Sequence, residues 1–221
     1  MSTSLSFNVC VAHTETDLID ACRVREKAYG HHLGDAAMSF SAVEPLDRAS
    51  ETTVLICRDK STGQAIGTAR IQTRGRQALL VERSMILPRH IAACTRAEVT
   101  RLAVLPGSDP LVKLCLMKAV YLYCAAHGID WLVISARNEP LARNYRRLGF
   151  KDALGPGQMV PLAHVGHLPH YLFTMDIEGT RLEWQRDGHR LHAFMFETTH
   201  PDLPTFDPAP RQPATSLRRV A

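Results

Sequence analysis

One short stretch of the chain places charged residues inside an apolar segment. Residues 97–105 read Ala-Glu-Val-Thr-Arg-Leu-Ala-Val-Leu, a predicted buried β-strand that carries Glu98 and Arg101. An acid and a base are costly to bury unless they are paired and hydrogen-bonded. Burial also raises the pKa of a carboxyl group toward neutrality, which suits a group that accepts and releases a proton. The stretch therefore predicts either a site for proton transfer or a structural ion pair.

The spacing of Glu98 and Arg101 adds a geometric condition. Side chains of a regular strand alternate between its two faces, so residues three apart point in opposite directions. The two can share a site only if a β-bulge lies between them. Such a bulge would also turn backbone N–H groups outward near Leu102, Ala103 and Val104. A straight, fully paired strand would remove this proposed site.

The elements around this strand predict an α/β (α+β) chain with a mixed sheet and helices on both faces. Apolar periodicity, caps and turn residues define the elements. Residues 78–85 are predicted as a short strand or the lead into one, and 179–198 are ambiguous between helix and strand. The predicted helices span 16–29, 111–127 and 139–148, and the predicted strands span 53–57, 65–71, 97–105, 131–135 and 170–177.

Composition narrows the class of protein. With 221 residues, 45% of them hydrophobic, the chain predicts one domain over 1–198 and a proline-rich tail over 199–221 that is disordered or loosely docked. A formal charge of +4 is too mild to predict a nucleic-acid partner. No apolar run approaches the ~20 residues that span a bilayer, and no secretion signal is visible. Six scattered cysteines predict reduced thiols and a cytoplasmic location.

Three histidines at regular spacing raise the question of a metal site. His164, His167 and His170 are three residues apart. Gly166 and Pro169 interrupt the run, so no single helix face gathers the three rings. We therefore predict no metal site.

The C-terminal half of the chain resembles the GNAT acyltransferases. Asn138, Tyr145 seven positions later, and Gly149-Phe150 resemble the C-terminal motif of that fold. The resemblance implies a GNAT-like, mostly antiparallel twisted sheet whose central strand is splayed from its neighbour.

Other residues resemble a narrower group within this fold. Residues 67–70 (Gly-Thr-Ala-Arg) and 98–104 (Glu-x-x-Arg-Leu-Ala-Val) are similar to the acyl-homoserine lactone (autoinducer) synthases and the long-chain N-acyl amino acid synthases. These proteins use acyl carrier protein. Arg25 and Tyr29 resemble the Arg-x-x-x-aromatic pattern of their first helix, and Asp47 matches an acidic position in the following loop.

Two departures from these family patterns narrow the choice, the first between the two groups and the second between acyl donors. Autoinducer synthases carry a tryptophan shortly after the first helix, whereas the only tryptophans here are Trp131 and Trp184. Residues 165–171 look more like the N-acyl amino acid synthases.

Acetyl-CoA-using members bind pyrophosphate on a glycine-rich turn after the central strand. Here Pro110 offers no N–H and Asp109 would repel phosphate, which favours an acyl carrier protein donor.

The resemblance implies an N-acyltransferase that moves a long-chain fatty acyl group from an acyl carrier protein thioester to the α-amine of an amino acid. It implies no tightly bound cofactor, since the acyl-phosphopantetheine thioester is the donor substrate. A peripheral contact with the lipid product is compatible with this activity. The alternatives are a CoA-dependent N-acetyltransferase, an acyl-homoserine lactone synthase, and a GNAT-like domain that binds without catalysing.

In this reaction class an amine attacks a thioester carbonyl, which assigns roles to the residues above. Glu98 is the candidate base, directly or through a water, and Tyr145 would protonate the leaving sulfur unless it is only a packed aromatic. Arginine's planar fork suits a carboxylate, but Arg25 and Arg70 could instead pair with Glu26, Glu44 or Asp47. Arg101 is a candidate catalytic partner of Glu98. The candidate substrate-binding residues are Arg25, Tyr29, Asp47, Arg70, Leu102, Ala103 and Val104.

Basic residues near the two later helices could form a docking face for the acidic carrier protein. The alternative is that they form the solvated side of these helices. The candidates for carrier or pantetheine binding are Lys113, Arg143, Arg146 and Arg147, with Lys118 and Lys151 beside them.

Overall fold

The computed structural model describes residues 4–33, 40–155 and 157–208. The described residues form strands and helices, with short 3-10 turns at Pro45–Arg48, Val81–Arg83 and Ala163–Val165. The elements are β1 (Phe7–Val11), α1 (Glu15–Leu33), β2 (Thr52–Asp59), β3 (Ala65–Thr73), α2 (Arg89–Ala92), β4 (Arg96–Val104), α3 (Leu111–Ala126), β5 (Trp131–Ala136), α4 (Glu139–Arg147), β6 (Lys151–Asp152), β7 (Val160–Leu162), β8 (Leu168–Asp176) and α5 (Ile177–Arg186).

The strands form one twisted sheet in the order β1-β2-β3-β4-β5-β8-β6, and β7 pairs with β8. Among the strands of the described residues, only the central pair, β4 and β5, is parallel. All other neighbours are antiparallel. This confirms the predicted mixed, mostly antiparallel sheet.

Helices cover both faces of the sheet. On one face, α3 packs its buried side chains, such as Val112 and Leu116, on Ala69 and Ile71 of β3. Arg70 lies between these two residues, so its side chain points to the opposite face, where it approaches α1 and the turn at 45–48. We call these the α3 face and the α1 face.

The central strand leaves its neighbour halfway along its length. β4 pairs with β5 from Arg96 to Val99 and no further. On the other edge, Arg70 pairs with Thr100 and Thr68 with Ala103, so Ala69 alone faces two residues of β4. The extra residue belongs to a β-bulge at Arg101, whose φ is +56°. The predicted bulge and the splayed central strand are confirmed.

Several segments differ from their prediction. β1, β6 and β7 were not predicted, residues 78–85 contain a 3-10 turn rather than a strand, and 179–198 contain the end of α5 and a π-helical turn. Residues 199–208 are docked, which fits the second of the two predicted alternatives for this part of the tail. Asp202 accepts the Val9 N–H at 2.8 Å, and Leu203 is buried. Residues 209–221 of the predicted tail lie outside the described residues.

Lys118 is buried under the π-helical turn and does not belong to a basic surface. Its ammonium group donates to the carbonyl oxygen of Phe194 and to the Thr198 carbonyl and hydroxyl oxygens, at 2.5 and 2.8 Å. Its side chain is fully enclosed. This corrects the suggestion that Lys118 contributes to docking.

Replacing Lys118 with methionine is therefore expected to lower the free energy of unfolding by about 1–3 kcal/mol, because buried oxygens lose a charged donor. Urea unfolding of both proteins measures the change. The exposed Lys27 provides the matched control, since Lys27→Met removes a similar charge without breaking a buried contact. Equal losses in the two variants would contradict this account.

Within the described residues, no helix combines the length and the apolar character needed to span a membrane. In the same part of the chain, no three or more His, Cys, Asp or Glu side chains are grouped so that they could hold a metal ion.

Candidate active site

A mostly apolar cavity of about 230 Å³ occupies the gap where β4 and β5 separate. Both strands contribute to its walls, because neither has a hydrogen-bonding partner on that side beyond Val99 and Ile134. Outside β4 and β5, the lining residues come from α1, Phe40, the β5–α4 connection, α4, the 3-10 turn at Ala163–Val165 and β8. Together the lining comprises Tyr29, Phe40, Val99, Thr100, Arg101, Leu102, Ile134, Ser135, Arg137, Asn138, Leu141, Tyr145, His164, Val165 and His170.

The cavity has one wall on each face of the sheet. Tyr145 belongs to the hydrophobic core of the α3 face. Val133 and Leu172 belong to the core on the other face. Because strand side chains alternate, Ser135 and His170 lie on the α1 face with them. A molecule in the gap would therefore contact α4 on one side and the histidine-bearing wall on the other.

The bulge sets the backbone edge of the cavity. The Tyr29 hydroxyl donates to the Leu102 carbonyl oxygen at 3.4 Å. The Leu105 N–H donates to Ile66 of β3 at 2.9 Å. Because N–H groups alternate along a strand, the preceding Val104 N–H faces the unpaired edge, whereas that of Ala103 points toward β3. Of the three residues predicted to present N–H groups, Leu102 lines the cavity, whereas Ala103 and Val104 do not.

Five charged side chains form a continuous network on the α1 face. Arg25 binds Asp47 through two hydrogen bonds of 2.9 and 3.0 Å. Arg70 donates to Asp47 at 3.2 Å and also to Glu44. Arg101 donates to Glu44 at 2.5 and 3.2 Å and stacks on Phe40. Three guanidinium groups thus face two carboxylates, which leaves one excess positive charge.

The arginines keep both carboxyl groups ionised. Burial would raise the pKa of Asp47, but the hydrogen bonds and charges of Arg25 and Arg70 outweigh burial and hold that pKa below its ordinary value. At Glu44, burial would likewise raise the pKa, but Arg101 and Arg70 outweigh it and lower the pKa to about 2. Arg101 is the member of this network that reaches the cavity.

The other predicted substrate-binding residues of the network lie behind the wall. Arg25, Arg70 and Asp47 are 1%, 0% and 6% exposed, and none of them lines the cavity. Arg70 also donates to the Thr100 hydroxyl at 2.9 Å. Their geometry suits residues that position Glu44, Thr100 and Arg101, rather than residues that contact a substrate.

Glu98 is not placed where a substrate could transfer a proton to it directly. It is 1% exposed, and it does not line the cavity. Its carboxylate accepts the Val81 N–H at 2.9 Å, and burial raises its pKa to about 7 despite that bond. This position disfavours the direct route, and the role of Glu98 as a base stays a prediction. The bulge does bring Arg101 to the face that carries Glu98, as the spacing predicted.

Tyr145 is buried in the cavity wall and is 3% exposed. Burial raises the pKa of its hydroxyl above the ordinary value, so the group is a proton donor at neutral pH. The Lys113 ammonium lies 5.4 Å from the centre of its ring. The Asn138 side chain accepts the Leu141 N–H at 3.0 Å and caps α4, which fixes the helix that carries Tyr145.

The predicted docking face is reduced to a few residues. Arg146 is paired with Glu139 and Asp152, both at 2.8 Å. Lys113 is partly buried beside Tyr145. Arg143 and Arg147 remain exposed on α4.

Sequence reasoning did not identify several cavity residues. Phe40, Ser135, Arg137, His164 and His170 reach the cavity from separate segments. The sequence points to the two histidines only through their regular spacing, which raises the question of a metal site. Because these segments meet through the tertiary fold, no local spacing could have gathered them.

Comparison with models of protein families gives no match. Comparison with curated protein sequences gives none either. Comparison with solved structures identifies the fold. An N-acyl amino acid synthase from uncultured soil microbes aligns with a TM-score of 0.63 and 19% identity, over 86% of this chain and 98% of that one. A CoA-dependent acyl-homoserine lactone synthase aligns at 0.54 and 18%, over 83% and 90%. An acetyltransferase of the GNAT family from Staphylococcus aureus Mu50 aligns at 0.52 and 10%, over 77% and 99%. The chain therefore has the GNAT fold.

Proposed function

We propose that this GNAT-fold chain is an N-acyltransferase that moves a long-chain fatty acyl group from an acyl carrier protein thioester to the α-amine of an amino acid. The observation that carries the proposal is the apolar cavity between the separating strands β4 and β5. It provides an apolar site for an acyl chain, an unpaired backbone edge, and a buried hydroxyl group. These are the elements that acyl transfer requires.

In this reaction the acceptor nitrogen bonds to the thioester carbonyl carbon, and the C–S bond then breaks. Negative charge develops on the carbonyl oxygen, where the N–H groups at the bulge, near Leu102 and Val104, can stabilise it. The leaving sulfur receives a proton from Tyr145, whose buried hydroxyl stays protonated at neutral pH. The amine enters from the α1 face, opposite Tyr145.

The start of α3 supports a carrier-protein donor over free CoA. Asp109 accepts the Leu111 N–H at 2.8 Å through its side chain and the Val112 N–H at 3.0 Å through its carbonyl oxygen. These N–H groups are therefore satisfied internally, and a carboxylate lies where a pyrophosphate would need positive potential. Phosphopantetheine attached to a protein carries a single phosphate and needs this helix end less.

The charge of the cavity supports an acceptor that bears a carboxylate. Arg101 and Arg137 line the cavity, and no Asp or Glu does so among the residues that the structure describes. Together with Arg101, the network holds three arginines against two acids, which leaves one positive charge in excess. The α-carboxylate of an amino acid would neutralise this excess.

The six cysteines are free thiols, which supports a reaction in the reducing cytoplasm.

The test is to incubate the purified protein with a mixture of amino acids and either a long-chain acyl carrier protein thioester or the corresponding acyl-CoA. N-acyl amino acids are then identified by mass spectrometry. We expect product from the carrier-protein thioester. Product from short-chain acyl-CoA alone would contradict the proposed donor. Consumption of S-adenosylmethionine with release of methylthioadenosine would indicate a lactone synthase, and no product from any donor would indicate a binding domain.

Tyr145→Phe is expected to lower kcat by about tenfold to a hundredfold, because the leaving thiolate loses its proton donor while the aromatic ring keeps its packing. Tyr121→Phe is the matched control, since Tyr121 is buried in α3 against Phe196 and does not line the cavity. Steady-state kinetics with the carrier-protein thioester compare the two variants. An unchanged kcat in Tyr145→Phe would leave this residue with a packing role only.

A further inference from the structure

The acyl-transfer scheme above leaves two imidazole rings of the cavity wall without a role. His164 lies in the 3-10 turn before β8, and His170 lies on β8 itself. Both line the cavity, and His170 shares the α1 face with Ser135. This is the side opposite Tyr145, from which an acceptor amine would approach the thioester.

The cavity contains few groups that can accept a proton at neutral pH. Arginines stay protonated in proteins, and burial raises the pKa of both tyrosine hydroxyls, so they are donors there. Glu98 does not line the cavity, and neither does any other Asp or Glu of the described chain. The two histidines are therefore the cavity groups that can accept a proton. The ionisable lining residues are Tyr29, Arg101, Arg137, Tyr145, His164 and His170.

The two rings differ in their suitability as bases. His170 has a fixed orientation, because its Nδ1 donates to the Leu168 carbonyl oxygen at 2.8 Å. A neutral ring with a proton on Nδ1 carries a lone pair on Nε2. His164 has a buried Nδ1 with no hydrogen-bond partner. Burial and the nearby charges of Arg101 and Arg70 lower the pKa of His164 to about 4, so it is a weak base.

Resting on the proposed acyl transfer, we infer that Nε2 of His170 accepts the proton that the acceptor amine loses when its nitrogen bonds to the thioester carbon. The nitrogen loses one proton to His170 as the C–N bond forms. The C–S electron pair leaves with the sulfur, which takes its proton from Tyr145. Solvent then takes the proton from the imidazolium and returns one to the Tyr145 phenolate, so charge and atoms balance.

The surroundings of His170 are compatible with this role. Burial and the charge of Arg137 lower the pKa of His170, whereas the bond to the Leu168 carbonyl opposes this by favouring the protonated ring. The ring is thus neutral before the reaction, and its imidazolium keeps a hydrogen-bond partner once formed. His164 is the other imidazole of the cavity wall, and its lowered pKa keeps it neutral.

The test compares two histidine-to-asparagine variants. Asparagine at position 170 can still donate to the Leu168 carbonyl, but it lacks Nε2. We expect His170→Asn to lower kcat/KM by about 10²- to 10⁴-fold, the range for loss of a general base. His167→Asn is the matched control, because His167 is exposed and does not line the cavity. Its φ of +60° also suits asparagine. Thermal unfolding confirms that both variants fold.

A second readout separates proton transfer from a structural role. An aminooxy analogue of the acceptor amino acid loses a more acidic proton from its nitrogen as the C–N bond forms, so its reaction depends less on a base. We expect the deficit of His170→Asn to shrink at least tenfold with this acceptor, whereas a merely distorted cavity would impair both acceptors equally. Added imidazole should restore part of the turnover of His170→Gly.

The outcomes distinguish this inference from the proposed function. If the wild-type protein forms no N-acyl product, the proposed function fails. If the wild type is active and His170→Asn retains its turnover, the inference about His170 is overturned while acyl transfer stands. A large loss in His164→Asn without one in His170→Asn would also overturn it. Loss in His170→Asn with aminooxy rescue supports it.

Discussion

Replacing Asp47 with alanine is expected to lower the free energy of unfolding by about 3–5 kcal/mol, the cost of removing one partner from a buried ion pair. Asp47 accepts hydrogen bonds from Arg25 and Arg70, and all three side chains are at most 2% exposed. Without Asp47, the Arg25 guanidinium would lose both of its bonds to a carboxylate. Urea unfolding at neutral pH measures the change.

The matched control is an ion pair that water can screen. Glu15 pairs with Arg48, and the two side chains are 55% and 49% exposed. Glu15→Ala is expected to leave stability nearly unchanged, because exposed pairs contribute little. If Asp47→Ala unfolds at the same urea concentration as the wild type, the network does not have the buried, charged character that the structure assigns to it.

The same variant should lose activity even under conditions in which it remains folded. Arg70 bonds to Asp47, Glu44 and Thr100, and Glu44 in turn holds Arg101 at the cavity. Loss of Asp47 therefore removes a support for two cavity residues. The network links a stability effect to the position of groups that a substrate would meet.

The central strand shows what the sequence could predict. Alternation of side chains is a local rule, so the spacing of Glu98 and Arg101 was enough to predict a bulge, and the structure has one at Arg101. The splay from β5 came from the resemblance to the GNAT fold and is equally clear. The part of the fold that positions the cavity was thus predictable.

The partners of the charged residues were less predictable. Arg25, Asp47, Arg70 and Arg101 were all singled out from the sequence, but their pairing depends on how the turn at 45–48 folds against β3 and β4. Glu44, which joins Arg70 to Arg101, was only one of several candidate partners. Residues 22 to 57 positions apart meet here, and such contacts follow no local period.

In the Gly67-Thr-Ala-Arg motif, the glycine is required by the packing of α3 on β3. A Cβ at Gly67 would lie 2.8 Å from Cγ1 of Val112, so glycine lets α3 approach β3 closely. The motif was read as part of the resemblance to acyl carrier protein-dependent synthases. Its glycine sets the position of α3, whereas its arginine belongs to the charged network.

Glu98 provides the second large expected effect, which depends on pH. Its pKa is raised from 4.5 to about 7, chiefly by burial. Between those values the folded protein keeps a proton that the unfolded chain releases, so stability falls as pH rises. At about 1.4 kcal/mol per pKa unit, the loss amounts to about 3 kcal/mol. It is absent below pH 4.5 and complete above pH 7.

Glu98→Gln should escape this loss, since glutamine can still accept the Val81 N–H and carries no charge. We expect the stability of the variant, relative to wild type, to increase by about 3 kcal/mol from pH 4 to pH 8 in urea unfolding. Other groups titrate alike in both proteins and cancel in the difference. A flat difference would show that Glu98 titrates normally. Turnover of the variant separates the two candidate bases: retained turnover fits a base at His170, whereas a loss in the folded variant fits Glu98 acting through a water, since Glu98 does not line the cavity.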